Sequence, residues 1–121
     1  MKKTLFLTVI CLLLLVFNQE TRAANLTGGK LLSYCKSDKG DELLSCVNYV
    51  AGVIDYHIFM QSMGTTPTTD FCIPDSVSVD KASFVVMNYL EKHQEHLPFI
   101  AAPTVLMALA DEYPCAELGG K

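Results

Sequence analysis

Five cysteines and three histidines are the side chains of this 121-residue sequence best suited to chemistry. Cys11 lies inside a long apolar run. Cys35, Cys46, Cys72 and Cys115 are spread through the remainder with no C-x-x-C pair, so neither a thioredoxin-like redox site nor a zinc ribbon is indicated. His57 falls toward the apolar face of a helical pattern, where a packed core histidine is a better reading than a general base. His93 and His96 are spaced to share a metal across one helical turn, but no matched third ligand is evident, and neither a metal nor any other cofactor is assigned. Asp55 reads as part of a solvated polar strip. The sequence has no G-x-S-x-G elbow, no H-E-x-x-H and no P-loop. A nucleophile, a base and an orienting group are not found together, so the reading is of a protein that is not an enzyme.

The compartment decides what the cysteines do. Lys2 and Lys3 are followed by the apolar run from Leu5 to Phe17 and then by small residues at Thr21-Arg22-Ala23-Ala24. That order defines a cleavable secretory signal peptide over residues 1–23, with cleavage after Ala23. The apolar run is short of the roughly 20 residues that a membrane-spanning helix needs, and Cys11 leaves with the peptide. What remains, residues 24–121, is expected to be periplasmic, with no membrane association after cleavage. Losing Lys2, Lys3, Arg22 and Glu20 makes it more acidic than the formal −4 of the full sequence. Nucleic acid is therefore not a partner, because phosphate binding relies on clustered Lys and Arg. Four cysteines in an exported domain of about 98 residues point to two structural disulfides, which also leaves no free thiolate for catalysis.

The elements that position these residues are helical. Thr27 caps a short first helix carrying Leu31, Leu32 and Cys35, and Lys36 to Gly40 form a turn. Asp41 is predicted to cap the longest helix, whose buried stripe reads as Leu43, Val47, Val50, Ile54 and Ile58 and which stops at Gly64. Ser78 caps a third helix, with Asp80 in its first turn and Ala82, Val86, Tyr89, Leu90 and His93 on the buried side. A bend at Gln94 to His96 leads to Pro98 as the first residue of a fourth helix, which carries Leu106, Leu109, Ala110 and Tyr113 and is kinked or broken at Pro103. The tail 117–121 reads as disordered. The fold class is all-α: a small four-helix domain stapled by two disulfides.

Of the three possible pairings, the layout favours one. Cys35 ends the first helix and Cys46 lies near the start of the second, so an antiparallel hairpin joins them. Cys72 precedes the third helix and Cys115 follows the fourth, and a second hairpin brings those ends together. The long helix also carries a second apolar stripe, Tyr49, Gly52, Tyr56 and Phe59, which is a candidate homodimer interface: aromatic rings supply contact area and the glycine admits a close neighbour.

Taken in order, Thr27-Gly28, Leu31-Leu32 and Cys35, then Cys46-Val47-Asn48-Tyr49-Val50-Ala51-Gly52-Val53-Ile54-Asp55, then Phe71-Cys72-Ile73-Pro74, Val85-Val86, Tyr89-Leu90, Ala108-Leu109 and Tyr113-Pro114-Cys115 resemble the Rap/Tai family of type VI secretion amidase immunity proteins. The resemblance covers nearly all of residues 24–121. Lys81, in place of a glutamine, and Gln94, in place of a proline, depart from it, which bears on binding specificity. It implies a periplasmic, often dimeric all-α protein that binds a secreted peptidoglycan amidase effector and occludes its active-site cleft. Candidate effector-binding residues are Asp38, Asp41 and Glu42 in the acidic turn and Ser62, Thr65, Thr66, Thr68 and Asp70 in the loop after the long helix, because loops on a rigid scaffold usually carry recognition. The alternatives are a periplasmic acid-stress-type chaperone and a metal or small-ligand module using His93 and His96.

Overall fold

The computed structural model describes residue 1, residues 25–65 and residues 68–115. The expected signal peptide beyond Met1, the tail 117–121 and Thr66 lie outside the described residues. Four α-helices are present among the described residues: α1 (Gly28–Cys35), α2 (Gly40–Ser62), α3 (Val79–Lys92) and α4 (Ala101–Glu112), with a 3₁₀ turn at Gln94–His96.

Local chemistry sets most of the helix ends. Thr27 Oγ1 accepts the Lys30 N–H at 3.2 Å, and Ser78 Oγ accepts the Lys81 N–H at 3.3 Å. At the end of α2, Gly64 takes φ 70°, its N–H donates to Gln61 O at 3.0 Å, and the Thr65 N–H donates to Met60 O at 3.0 Å. This is a Schellman cap, which a side chain with a Cβ would strain. The start of α2 differs from expectation. Lys39 is the capping residue, with no side-chain cap, and Asp41 lies inside the first turn, where its charge still suits the positive end of the helix.

The fourth helix begins later than Pro98, at Ala101, because the segment before it is tied to the N-terminal strand-like residues. Thr27 and Ile100 form an isolated antiparallel bridge, and the Ala101 N–H donates to Leu26 O at 2.8 Å. Pro103 then falls in the first turn of α4, where its missing N–H leaves no internal bond unmade, so it neither kinks nor breaks the helix.

The core is formed by Leu31 and Cys35 of α1, Cys46 and Val50 of α2, Ala82, Val86 and Leu90 of α3, Ala101, Val105, Ala108 and Leu109 of α4, and Phe71 of the α2–α3 loop. Each fully buried Leu or Val adds about 1.5–3 kcal/mol relative to exposure. Two buried stripes are rotated from those read in the sequence. On α2 the fully buried positions are Cys46, Val50 and His57, whereas Leu43 and Ile58 are 44% and 55% exposed. On α4 they are Ala101, Thr104, Val105, Ala108 and Leu109, while Leu106, Ala110 and Tyr113 are only partly covered. By length and apolarity α2 could cross a membrane; here it packs against each of the other three helices, with Cys46, Val50 and His57 its fully buried residues.

Disulfides Cys35–Cys46 and Cys72–Cys115 are both formed, with Cα atoms 5.1 Å and 4.8 Å apart. The first joins α1 to α2. The second ties the approach to α3 to the end of α4, where the Cys72 N–H also donates to Tyr113 O at 2.9 Å.

Candidate functional site

The centre of α2 presents two different surfaces. On the buried side His57 is 1% exposed and stacks on Phe71, ring centroids 3.9 Å apart. Its Nε2 lies 2.8 Å from Asp70 Oδ1; a carboxylate only accepts, so Nε2 carries the proton in that contact. Asp70 Oδ1 also accepts from Gln61 Nε2 at 2.8 Å and from the Phe71 N–H at 2.9 Å. Partial burial pushes the Asp70 carboxyl up, but the hydrogen bonds from Gln61, His57 and Phe71 outweigh it and hold the group below its ordinary range. His57 Nδ1 is buried and finds no partner among the described residues. The imidazole thus latches the loop to the helix, as a core histidine does.

On the other side, α2 and α4 flank an apolar groove of about 470 Å³ lined by Tyr49, Gly52, Tyr56, Ala102, Pro103 and Leu106. Tyr49 forms part of its floor: burial raises its hydroxyl pKa, opposed by a hydrogen bond with the backbone of Ala102. Tyr56 is 61% exposed and Phe59 is also exposed. A Cβ placed on Gly52 would meet nothing within 4 Å. The structure therefore brings Tyr49, Gly52 and Tyr56 together along one open groove, with Phe59 further along the same helix.

The acidic turn and the α2–α3 loop are separate places. Asp38 and Asp41 are exposed; Glu42 pairs with Lys39 at 3.4 Å. A hydrogen bond from Ser37, and then Lys39, against a smaller opposing effect of burial, hold the Glu42 carboxyl below its usual range. In the loop region Ser62, Thr65 and Thr68 are exposed, the Ser62 hydroxyl donating to Phe59 O at 2.7 Å. Asp70 is committed to His57 and Gln61.

The His93–His96 pair singled out in the sequence lies at the end of α3, together with a third donor, Glu95, that the sequence reading missed. His93 Nδ1 is 3.1 Å from Glu95 Oε1, and His96 Nε2 is 3.8 Å from the same oxygen. Glu95 is held below the ordinary carboxylate range first by a hydrogen bond from its own backbone N–H and then by His93. The third donor beside the two histidines was visible only as H-x-E-H, a spacing that gives no common face on an α-helix.

Searches of curated proteins and of solved structures found no match. A family model described as Rap1a immunity proteins matches residues 27–115, a span that contains all four helices and both disulfides. The chain therefore belongs to the family of Rap1a immunity proteins.

Proposed function

We propose that this immunity protein acts in the periplasm, where it binds a type VI secreted peptidoglycan amidase and occludes its active-site cleft. The observation that carries the reading is the family match across residues 27–115. The residues that resemble amidase-specific immunity proteins, among them Cys46 to Asp55 and Tyr113-Pro114-Cys115, support the amidase as target. Export is supported by Lys2 and Lys3, the apolar run and Ala23, and by the two disulfides, which persist in oxidising compartments.

The same reading includes a homodimer formed through the α2–α4 groove. Its support is the open apolar channel beside Tyr56 and the bare backbone at Gly52, which leave an apolar surface where a second copy of α2 would pack. Effector contact is proposed for Asp38, Asp41, Glu42, Ser62, Thr65, Thr66 and Thr68, of which Asp38, Asp41, Ser62, Thr65 and Thr68 are exposed, while Asp70, the remaining candidate, has one carboxylate oxygen taken up by His57 and Gln61.

The purified, disulfide-bonded protein should bind and inhibit at sub-micromolar concentration a peptidoglycan amidase encoded beside a type VI apparatus in its own genome. The proposal fails if no such amidase binds and if deleting the gene leaves cells unharmed by their siblings.

A further inference from the structure

α3 stops at Lys92 because His93 leaves the helical region, at φ −114° and ψ 67°. The chain then tightens into a 3₁₀ turn over Gln94–His96, with the His96 N–H donating to His93 O at 3.0 Å. His93 stands just before this turn as its cap, and the fold brings its ring to 5.9 Å from that of His96 between centroids. Glu95 reaches back between them, and one donor atom from each of the three side chains lies within 4.8 Å of the others.

Two further contacts hold this arrangement. Tyr89, one turn back on α3, stacks on His93 at 4.1 Å between centroids and faces His96 at 6.0 Å. From the other side the start of α1 clamps the backbone: the Gly28 N–H donates to Phe99 O at 2.9 Å and the Gly29 N–H to Leu97 O at 2.8 Å. Gly28 packs so closely that a Cβ there would lie 2.8 Å from His96 O. The donors are thus mounted on a turn fixed by the core of the domain, as a binding site requires.

A tetrahedral ion with ligands at 2.0–2.1 Å spaces its donors about 3.3–3.4 Å apart. The two distances to Glu95 Oε1, 3.1 Å and 3.8 Å, bracket that value. The three donors as a set span up to 4.8 Å, so binding an ion requires the exposed Glu95 and the partly exposed His93 to rotate inward. Glu95 is exposed and both histidines are partly exposed, so an ion can reach the donors directly from solvent. Two imidazoles and one carboxylate favour a borderline transition metal over Mg²⁺ or Ca²⁺, which prefer all-oxygen shells.

We propose that His93, Glu95 and His96 form a binding site for a divalent transition-metal ion of the Zn²⁺ type. Three protein donors hold the ion, and a fourth coordination position stays open to water or to a donor atom from a partner. The site stands whatever effector the protein binds.

The test is calorimetric titration of the purified, metal-free, disulfide-bonded protein with Zn²⁺, followed by imidazole ¹H–¹⁵N spectra. One Zn²⁺ should bind per chain, with the His93 and His96 resonances shifting and that of His57 unmoved. His93→Gln, His96→Gln and Glu95→Gln should each weaken binding by more than about tenfold, since even outer-shell changes cost about 10–100-fold. Glu95 is exposed enough that its substitution leaves the fold intact, which circular dichroism checks. Absence of binding, unchanged affinity in the His93→Gln/His96→Gln double variant, or equal competition by Mg²⁺ would each overturn the proposal.

Discussion

The imidazole of His57 lies flat on the ring of Phe71, centroids 3.9 Å apart and planes 16° from parallel. This stack closes the loop after α2 onto the centre of that helix, and Phe71 is buried in the same core that Cys46 and Val50 enter. Phe71→Ala should leave a cavity and expose one face of a buried imidazole. The expected cost is about 3–5 kcal/mol, measured as a fall in the urea midpoint at constant slope. A loss under about 1 kcal/mol would mean that the loop collapses to refill the space.

Asp70 makes the same latch sensitive to acid. Burial raises its pKa, but the hydrogen bonds from Gln61, His57 and the Phe71 amide prevail and hold it below the ordinary 3.8. A carboxyl lowered by folding stabilises the protein fully above its unfolded pKa and loses that contribution as pH falls through the folded value. Wild-type stability should therefore decline as pH drops below 3.8, and Asp70→Asn should be less stable at neutral pH but flatter across the acid limb. Thermal unfolding from neutral to strongly acid pH reads both curves. Parallel curves would assign the acid response elsewhere.

The two disulfides should differ in worth because they close loops of different length, with sequence separations of 11 for Cys35–Cys46 and 43 for Cys72–Cys115. Loop-closure entropy gives about 2.8 kcal/mol for the shorter and about 4 kcal/mol for the longer. Paired Cys→Ala variants compared by urea unfolding should show that order. Because Cys46 is fully buried and Cys72 is exposed, lost packing adds to the cost at the shorter bridge. A reversed order would show that packing at Cys46 outweighs chain entropy.

What the sequence made legible was set by neighbours in the chain. Thr27, Ser78 and Gly64 act through bonds to residues two to four positions away, and the disulfide pairing followed because each cysteine lies close to a helix end. The rotation of α2 was not legible. Leu43, Leu44, Val47, Val53, Ile54, Ile58 and Phe59 surround the helix, so its apolar pattern has no single phase, and the Cys46, Val50, His57 line is selected by α1, α3 and Phe71. Nor could the start of α4 be read, since it depends on Leu26 and Thr27, more than seventy residues earlier. The His57–Asp70 contact and the Glu95 donor needed the folded loop and the 3₁₀ turn.

Gly28 tests the clamp between α1 and that turn. Alanine there would place its Cβ 2.8 Å from His96 O and 3.1 Å from Leu90 Cδ2. Backbone must move, so Gly28→Ala should destabilise by about 1–3 kcal/mol despite the better helix propensity of alanine. Gly40→Ala is the control, because its Cβ would meet nothing within 4 Å and the change should be neutral or slightly stabilising. Equal effects at the two positions in thermal unfolding would mean that the close approach at Gly28 relaxes without cost.

The proposed dimer rests on the groove beside Tyr56, and that residue separates association from folding. Its side chain is 61% exposed and contributes little to the core of one chain. Tyr56→Asp should therefore leave helicity and melting of the single chain nearly unchanged, while placing a charge where a second α2 would pack on an apolar surface. An unpaired charge in such an interface costs several kcal/mol, enough to shift a micromolar dimer to monomer. Light scattering should give a dimer for the wild type and a monomer for the variant. A variant that stays dimeric places the interface on another face, such as the one carrying Leu43 and Phe84, which are also exposed. A wild type that is monomeric removes the dimer altogether.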